Sequence, residues 1–168
     1  KAEIPGGSTV EQTQPRLAET AKILWKTYLA LTLFEILALR FAGLSWFDSV
    51  CHTFSTVATG GFSPHNGSIG VFNNVYIESI IILFMFLGGI NFALHFQLFR
   101  RNFSAIFKNP EFQAYCALLL VGILFVTWGL TQVSSDGDAS QAFRSAAFTV
   151  VSINSTTGFV TDDFNLWP

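Results

Sequence analysis

Charged residues are scarce in this sequence. They make up 12% of the 168 residues, whereas apolar residues make up 51%, and a typical soluble domain is about 25% charged. A soluble domain of this size lacks the interior volume to bury so much apolar surface. The lipid bilayer is therefore the expected environment. The formal net charge of −2 also leaves no basic surface to neutralise phosphates, so we expect no nucleic-acid partner.

Residues that carry metal or enzyme chemistry are also few. Cys51 and Cys116 both lie within apolar segments, which predicts small buried hydrophobes rather than a disulfide or a metal site. His52, His65 and His95 lack metal-ligand spacing and are interpreted as structural histidines. The apolar helices contain no serine–histidine or paired-aspartate arrangement, which argues against an intramembrane enzyme. We therefore expect no catalysis, no metal beyond a transported ion and no covalently bound cofactor.

The first long apolar run covers residues 23–44. As a helix, it is long enough to cross a hydrocarbon core of about 30 Å. The polar segment 1–22 precedes it and is interpreted as cytoplasmic and amphipathic. Glu35 lies deep in the apolar run and must face protein or water. Its role is either in ion passage or in a structural pairing.

A half-length apolar segment follows and ends in a glycine-rich loop. Residues 46–57 span about 18 Å as a helix, and Ser45 with Asp48 forms a capping box at its start. The loop 58–63 comes directly after it. A short apolar helix that leads into such a loop is typical of a re-entrant pore helix rather than a membrane span.

The most apolar run, residues 75–99, predicts a second spanning helix. Basic residues follow it in the predicted cytoplasmic loop 100–108, and others precede the first helix. By the positive-inside tendency, both ends of this unit are cytoplasmic, which requires an even number of crossings. Two spanning helices with a half-crossing loop between them, over residues 23–108, satisfy this requirement.

The same pattern recurs in residues 109–168. A helix over 110–130 precedes a short pore helix over 139–151 and a loop over 154–159. The inner helix that closes the first unit has no counterpart here. An internal repeat of helix, half-length helix and Thr/Gly loop is the main organisational feature of the sequence.

The two loops carry matching residues that suit a cation. A potassium ion that leaves water needs substitute oxygens, and backbone carbonyls can supply them only where the chain is unwound from a helix. Glycine permits the backbone angles that turn carbonyls toward one axis, and threonine adds a hydroxyl oxygen. Ordinary turns are the alternative for either loop alone, but the repetition favours a filter. The predicted potassium-binding selectivity-filter residues are Thr59, Gly60, Gly61, Thr156, Thr157 and Gly158.

The short helices and nearby acids also favour a cation. Each short helix directs its C-terminal end, with its partial negative charge, toward the membrane centre. Asp162 and Asp163 follow the second loop. They either raise the local cation concentration or solvate the loop.

These motifs resemble a known family. Residues 47–65 closely resemble the second pore loop of TrkH-type potassium-uptake subunits of the Trk/Ktr/HKT superfamily, and residues 154–159 resemble the third. The Gly88-Gly89 pair resembles part of the inner helix of the second repeat in that family, although close helix packing alone also accounts for the two glycines.

The resemblance implies an all-α integral membrane protein with four units of helix, re-entrant pore helix, filter loop and helix around one pore. This chain would hold the second unit and most of the third, as an excerpt of a longer protein. The family also implies a multi-pass homodimer in the bacterial inner membrane, with a cytoplasmic nucleotide-binding regulatory subunit. The expected function is potassium uptake, with potassium ion as the substrate. The alternatives are a Ktr-like sodium-dependent transporter and a non-conducting membrane sensor that retains the fold.

Overall fold

All regular secondary structure among the described residues is helical. The computed structural model describes residues 9–91, 94–95, 97, 103–133, 139–162 and 167. This confirms the predicted all-α fold class. The elements are α1 (Thr9–Phe41), α2 (Trp46–Val57), a 3-10 turn (Ser68–Phe72), α3 (Val75–Gly89), α4 (Phe103–Phe107), α5 (Pro110–Val133) and α6 (Ala139–Asn154).

Helix α1 is longer than the sequence predicts. It has 33 residues, or about 50 Å at helical rise, and it continues from Thr9 through the polar segment into the apolar run. The predicted start of this helix at residue 23 is therefore wrong. Polarity does not end a helix, and residues 9–22 contain mostly good helix formers and no glycine, although they include Pro15, which disfavours a helix interior. Helix α1 ends at Phe41, three residues before the predicted end at residue 44. Gly43, just after the helix, takes a left-handed φ of +106° and ends it.

Helix α2 is a half-length helix with a defined start. It has 12 residues, and the Ser45 side chain caps its first turn. The Asp48 backbone N–H donates to the Ser45 hydroxyl oxygen at 3.0 Å, and the same hydroxyl donates to the Asp48 carboxylate at 2.7 Å. The two residues therefore stabilise the N-terminus of α2 through both the backbone and the side chains.

Helix α3 ends ten residues earlier than the sequence predicts. The apolar run indicates one helix over 75–99, but α3 ends at Gly89, and Ile90 has an extended backbone with φ −79° and ψ 139°. Hydropathy does not register this end, because glycine is apolar but weakens a helix by about 1 kcal/mol relative to alanine. A pair of adjacent glycines, Gly88 and Gly89, therefore ends the helix inside an apolar run.

The second unit shows smaller differences from prediction. Helix α5 extends to Val133, three residues past the predicted end, and α6 extends to Asn154, three residues past its own. The predicted loop 100–108 contains the short helix α4. Part of this loop, including the basic pair Arg100 and Arg101, lies outside the described residues.

One helix in the described part of the chain is long and apolar enough to cross a membrane by length and composition. It comprises Pro110–Gln132, within α5, and Val75–Gly89 is apolar but shorter. In α5, only 6% of the most apolar stretch is buried by the chain itself. Such a helix does not obtain its stability from this chain's core, which fits a surface that faces lipid.

The buried core joins the two units. Helix α3 packs against α1, α2 and α6, and α6 packs against α5. Because α3 belongs to the first unit and α6 to the second, burial of their apolar side chains fixes the two units to each other. The core residues are Leu39, Leu44, Ile69, Ile77, Ile81, Met85, Leu119, Phe148, Val151 and Phe159.

Candidate ion-binding site

The first loop begins where α2 unwinds. After Val57, the Thr59 N–H donates to the Thr56 carbonyl at 3.0 Å, and the Gly60 N–H donates to the Ser55 carbonyl at 2.7 Å. Both bonds turn back on the last turn of α2. These bonds use N–H groups of the loop as donors. The carbonyl oxygens of the loop itself accept no hydrogen bond from them.

The second loop repeats these two hydrogen bonds at the aligned positions and adds a third, from the Gly158 N–H to the Ser152 carbonyl at 3.3 Å. After Asn154, the Thr156 N–H donates to the Ile153 carbonyl at 3.0 Å, and the Thr157 N–H donates to the Ser152 carbonyl at 3.0 Å. These positions are the ones that the sequence repeat aligns with the first loop. The repeat in sequence is therefore also a repeat in backbone hydrogen bonding.

The two loops share an unusual backbone conformation. Thr59 and Gly61 have φ values of 51° and 67°, and the aligned Thr156 and Gly158 have 62° and 86°. A β-branched residue in the left-handed region is strained by about 1–2 kcal/mol. The same strain at aligned threonines in two loops favours a functional role over an accidental turn.

The structure brings the two loops into direct contact. A Cβ atom on Gly61 would collide with the Thr157 carbonyl oxygen and would also lie 3.1 Å from the carbonyl carbon of Gly158. No larger residue fits at Gly61 without displacing the second loop. The six predicted filter residues thus form one local group rather than two separate turns.

The carbonyl oxygens of these six residues are available for a ligand. Within the described part of the chain, none of them accepts a hydrogen bond from a backbone or side-chain donor. A carbonyl that is not committed to a helix or sheet can bind a dehydrated cation. The C-terminal ends of α2 and α6 lie directly before the loops and add partial negative charge there.

The segments that follow the loops are also bonded to each other. The N–H groups of Ile69 and Gly70 in the 3-10 turn donate to the Val160 carbonyl at 3.1 and 3.2 Å, and the Val160 N–H donates to the Ser68 hydroxyl at 3.3 Å. The sequence analysis missed this link. No local pattern marks it, because its partners lie far apart along the chain.

The Gly88-Gly89 pair lies beneath both loops. A Cβ on Gly88 would lie 3.5 Å from the Thr56 carbonyl, and one on Gly89 would collide with the Tyr115 hydroxyl and approach Ser155 at 3.2 Å. These distances confirm close packing as a role for the pair. The glycines let α3 reach the C-terminal ends of both pore helices.

Two histidines of the first unit have the structural role that the sequence predicts. His52 Nδ1 donates to the Asp48 carbonyl at 2.8 Å, and its Nε2 lies within hydrogen-bond distance of the Ser63 hydroxyl at 2.9 Å. His65 Nε2 lies 2.9 Å from the Asp48 carboxylate. These contacts fix the segment after the first loop to α2. Hydrogen bonds from Ser45 and, to a smaller extent, from His65 lower the pKa of the Asp48 carboxyl.

The other candidate residues have simpler outcomes. Cys51 and Cys116 are both free thiols, and both are half-buried rather than buried as the sequence predicts. The described residues contain no cluster of three or more His, Cys, Asp or Glu suited to a metal. Asp162 is exposed. Asp163 lies outside the described residues.

The arrangement defines a class of protein. Two short helices of 12 and 16 residues, each followed by the same strained Thr/Gly loop, with the loops in contact, are the re-entrant pore-loop fold of the potassium-channel type. A family model described as TrkH, a cation transport protein, matches residues 7–168. The chain belongs to this family of membrane-embedded transporters.

Curated relatives and a solved structure agree with this assignment. The chain is 42% identical to the Trk system potassium uptake protein TrkH of Halomonas elongata and 39% identical to that of Escherichia coli K12, in each case over 100% of this chain and 35% of the relative. It is 33% identical to the Trk system potassium uptake protein TrkG of Escherichia coli K12, again over 100% of this chain and 35% of the relative. The crystal structure of the potassium transporter TrkH from Vibrio parahaemolyticus matches with a TM-score of 0.87 and 38% identity, over 98% of this chain and 35% of that chain. The chain thus spans about a third of the length of these relatives.

Proposed function

We propose that this chain contributes two of the filter loops of a potassium-uptake pore. The backbone carbonyls of Thr59, Gly60 and Gly61 would face the ion from one loop, and those of Thr156, Thr157 and Gly158 from the other. The observation that carries the proposal is the matched unwinding of two loops that touch at Gly61 and Thr157 and keep their carbonyls uncommitted. The relatives named as potassium uptake proteins support potassium as the ion.

Electrostatics supports a passive mechanism for cation entry. The two pore-helix ends supply partial negative charge without a full charge that would hold the ion too tightly. An inside-negative membrane potential favours inward movement of a cation by about 2.3 kcal/mol per charge per 100 mV. No chemical step is required of the protein, so we assign no catalytic residue and no cofactor.

The proposal includes a cellular setting. We infer a multi-pass protein of the bacterial inner membrane, with residues 23–108 as one pore unit and residues 109–168 as part of the next. The Trk system names of the relatives support work within a multicomponent system. A homodimer with a cytoplasmic nucleotide-binding regulatory subunit is the assembly that we propose.

Ion flux through the full-length protein tests this function. Purified protein in proteoliposomes should take up rubidium, and external potassium should compete with it far better than external sodium. Uptake should be the same with and without sodium, which separates this function from a sodium-dependent one. Proteoliposomes that show no rubidium uptake above empty liposomes would refute the proposal and favour a non-conducting sensor.

A matched pair of variants ties flux to the loops. Gly61→Ala changes a left-handed glycine inside the candidate site, whereas Gly43→Ala changes a left-handed glycine at the end of α1 whose Cβ would meet no atom within 4 Å. We expect Gly61→Ala to reduce rubidium uptake and Gly43→Ala to leave it near wild type. An equal fall in rubidium uptake in both variants would show that left-handed backbone strain in general, and not the loop contact, causes the loss.

A further inference from the structure

The 3-10 turn that follows the first filter loop binds both backbone groups of Val160 in the second unit. The N–H groups of Ile69 and Gly70, which are adjacent in this turn, both donate to the Val160 carbonyl. The Val160 N–H donates in return to the Ser68 hydroxyl. A carbonyl oxygen has two lone pairs, so the donor and the acceptor of this peptide unit are fully used by the first unit. These three hydrogen bonds are called the Val160 bonds below.

Val160 lies directly after the second candidate filter. Gly158 is the last predicted filter residue, and Phe159 stands between it and Val160. The Phe159 carbonyl accepts the Ser152 hydroxyl at 2.7 Å, and the Val160 carbonyl accepts the two donors of the 3-10 turn. The carbonyls that stay available to an ion therefore end at Gly158, and the Val160 bonds hold the chain two residues beyond that end.

The 3-10 turn is itself fixed to the first unit. Ile69 is fully buried in the core. The Phe72 ring packs edge-on against His52 of α2 and against His65, with ring centroids 5.5 and 5.3 Å apart. His52 Nε2 lies 2.9 Å from the hydroxyl of Ser63, at the end of the first loop. Contacts thus run without a gap from the end of the first loop, through the turn, to the end of the second loop.

Two residues of the turn suit this contact through their own chemistry. Ser68 has a left-handed φ of 51°, which glycine would adopt without strain, but glycine has no oxygen to accept the Val160 N–H. Gly70 lies so close to the second unit that a Cβ atom there would collide with the Thr161 carbonyl oxygen. A side chain at position 70 would therefore push the turn away from the second unit.

We propose that this 3-10 turn determines ion specificity, with Ser68 and Gly70 as positioning residues that hold the second filter loop at a fixed distance from the first. Neither residue touches the ion. A filter distinguishes cations by the number and arrangement of its oxygens, so a shift between the loops should weaken the preference for potassium over sodium. The inference rests on the proposed function for this consequence, whereas the Val160 bonds can be measured without transport.

Ion preference in the full-length protein tests the role of Ser68. The preference is the ratio of the sodium and potassium concentrations that halve rubidium uptake into proteoliposomes. Ser68→Ala removes the acceptor of the Val160 N–H, and we expect the preference to fall about threefold to tenfold, the effect of one hydrogen bond. Ser68→Gly should lose as much preference, although relief of left-handed strain should make it more stable than Ser68→Ala. Ser68→Thr keeps the hydroxyl and should retain the preference, while its β-branched side chain lowers the unfolding midpoint.

These variants separate positioning from general stability. A turn that served stability alone would give a preference that follows the unfolding midpoint, with Ser68→Thr impaired and Ser68→Gly near wild type. That order would overturn the proposal. Ser49→Ala is the matched control, because Ser49 is also buried and its hydroxyl donates to the Ser45 carbonyl at the start of α2 at 2.8 Å. Its preference should equal that of wild type, and a loss as large as in Ser68→Ala would also overturn the proposal.

Two glycines at the turn provide a second comparison. Gly70→Ala introduces the collision with Thr161, and we expect the preference to fall about tenfold or more. Gly67→Ala places a Cβ against the Val71 side chain only, which is 56% exposed and free to move, so its preference should stay near wild type. Wild-type preference in both Gly70→Ala and Ser68→Ala would overturn the proposal, and the Ser68 variants carry the test should Gly70→Ala fail to fold.

Hydrogen exchange of the Val160 amide tests the Val160 bonds without transport. Exchange in the full-length protein should be slow in wild type, faster in Ser68→Ala and unchanged in Ser49→Ala. Exchange that does not depend on Ser68 would overturn the proposal. Should wild-type protein carry no flux while Ser68→Ala accelerates this exchange, the proposed function fails and the link between the loops stands.

Discussion

The two filter loops have the same backbone and different surroundings. The hydrogen bonds of Thr59 and Gly60 recur at Thr156 and Thr157, with donor–acceptor distances of 2.7–3.0 Å. Phe62, however, is 82% exposed, whereas the aligned Phe159 is 2% exposed and belongs to the core. The local sequence therefore sets the loop conformation, and the rest of the molecule decides how tightly each loop is held.

Side chains around the loops show the same contrast. The Ser152 hydroxyl donates to the Phe159 carbonyl at 2.7 Å and closes the second loop. The hydroxyl of the aligned Ser55 is buried and has no hydrogen-bond partner among the described residues. The second loop thus has a side-chain hydrogen bond from its own pore helix that, within the described part of the chain, is absent at the aligned position of the first loop.

The largest expected effect is on rubidium flux, and it differs between substitutions of the two loop glycines, Gly61 and Gly158. Gly61→Ala combines left-handed strain with a collision against the Thr157 carbonyl, and we expect rubidium flux to fall about tenfold or more. Gly158→Ala meets no atom within 4 Å, so left-handed strain of about 1–2 kcal/mol is its only cost. Flux measurements should rank Gly61→Ala below Gly158→Ala. The reverse order would contradict the contact between the loops.

The next effect concerns the ion pair that joins the two units. Arg144 Nε of α6 lies 3.2 Å from the Glu78 carboxylate of α3, whose side chain is 5% exposed. Arg144→Met should destabilise the protein by about 2 kcal/mol, below the 3–5 kcal/mol of a fully buried pair because Arg144 is partly exposed. Thermal unfolding in detergent measures the loss.

A double-mutant cycle checks this assignment. Glu78→Gln combined with Arg144→Met should cost less than the sum of the two single variants, because each single change already breaks the pair. Strict additivity of the changes in unfolding free energy would show that the two side chains do not interact.

A smaller effect on stability should differ between substitutions of the two aligned serines, Ser152 and Ser55. Ser152→Ala removes the bond to the Phe159 carbonyl and should destabilise the protein by about 1 kcal/mol. Ser55→Ala removes a hydroxyl without a partner and should be neutral or slightly stabilising. Both are measured as shifts in the thermal unfolding midpoint. Equal losses of stability in the two variants would contradict the difference between the loops described above.

The smallest expected effect depends on pH. Because hydrogen bonds from Ser45 and His65 lower the pKa of Asp48, this carboxylate stabilises the fold above its unfolded pKa of about 3.9. The stabilisation is lost as pH falls through the lower, folded pKa. Acid should therefore loosen the first loop more than the second, and Asp48→Asn should remove the difference.

Hydrogen exchange of the loop amides measures this prediction. Exchange near Thr59 and Gly60 should increase at acid pH relative to exchange near Thr156 and Thr157, after correction for intrinsic rates. Equal acceleration in both loops, or an unchanged pattern in Asp48→Asn, would contradict a role for Asp48 in holding the first loop.

Local sequence signals predicted the elements that depend on local chemistry. The all-α class follows from long apolar runs, and the Ser45 cap follows from a pattern of four residues. The aligned threonines and glycines predicted two similar loops, and aligned backbone angles occur there. Each of these features depends on residues close together in sequence.

Features that depend on distant contacts were missed or wrong. The end of α3 at Gly89 lies in an apolar run, and the contacts of this glycine with Tyr115 and Ser155 come from the other unit. The bonds between the 3-10 turn and Val160, and the Glu78–Arg144 pair, likewise join residues from different units. Periodicity along a single sequence carries no information about such pairs.

Anomalous diffraction from crystals of the full-length protein soaked in rubidium tests the central claim most directly. We predict a rubidium peak between the two loops, coordinated by backbone carbonyl oxygens of Thr59–Gly61 and Thr156–Gly158. A peak only at surface carboxylates, or a peak bound by side chains with these carbonyls turned away, would contradict the account.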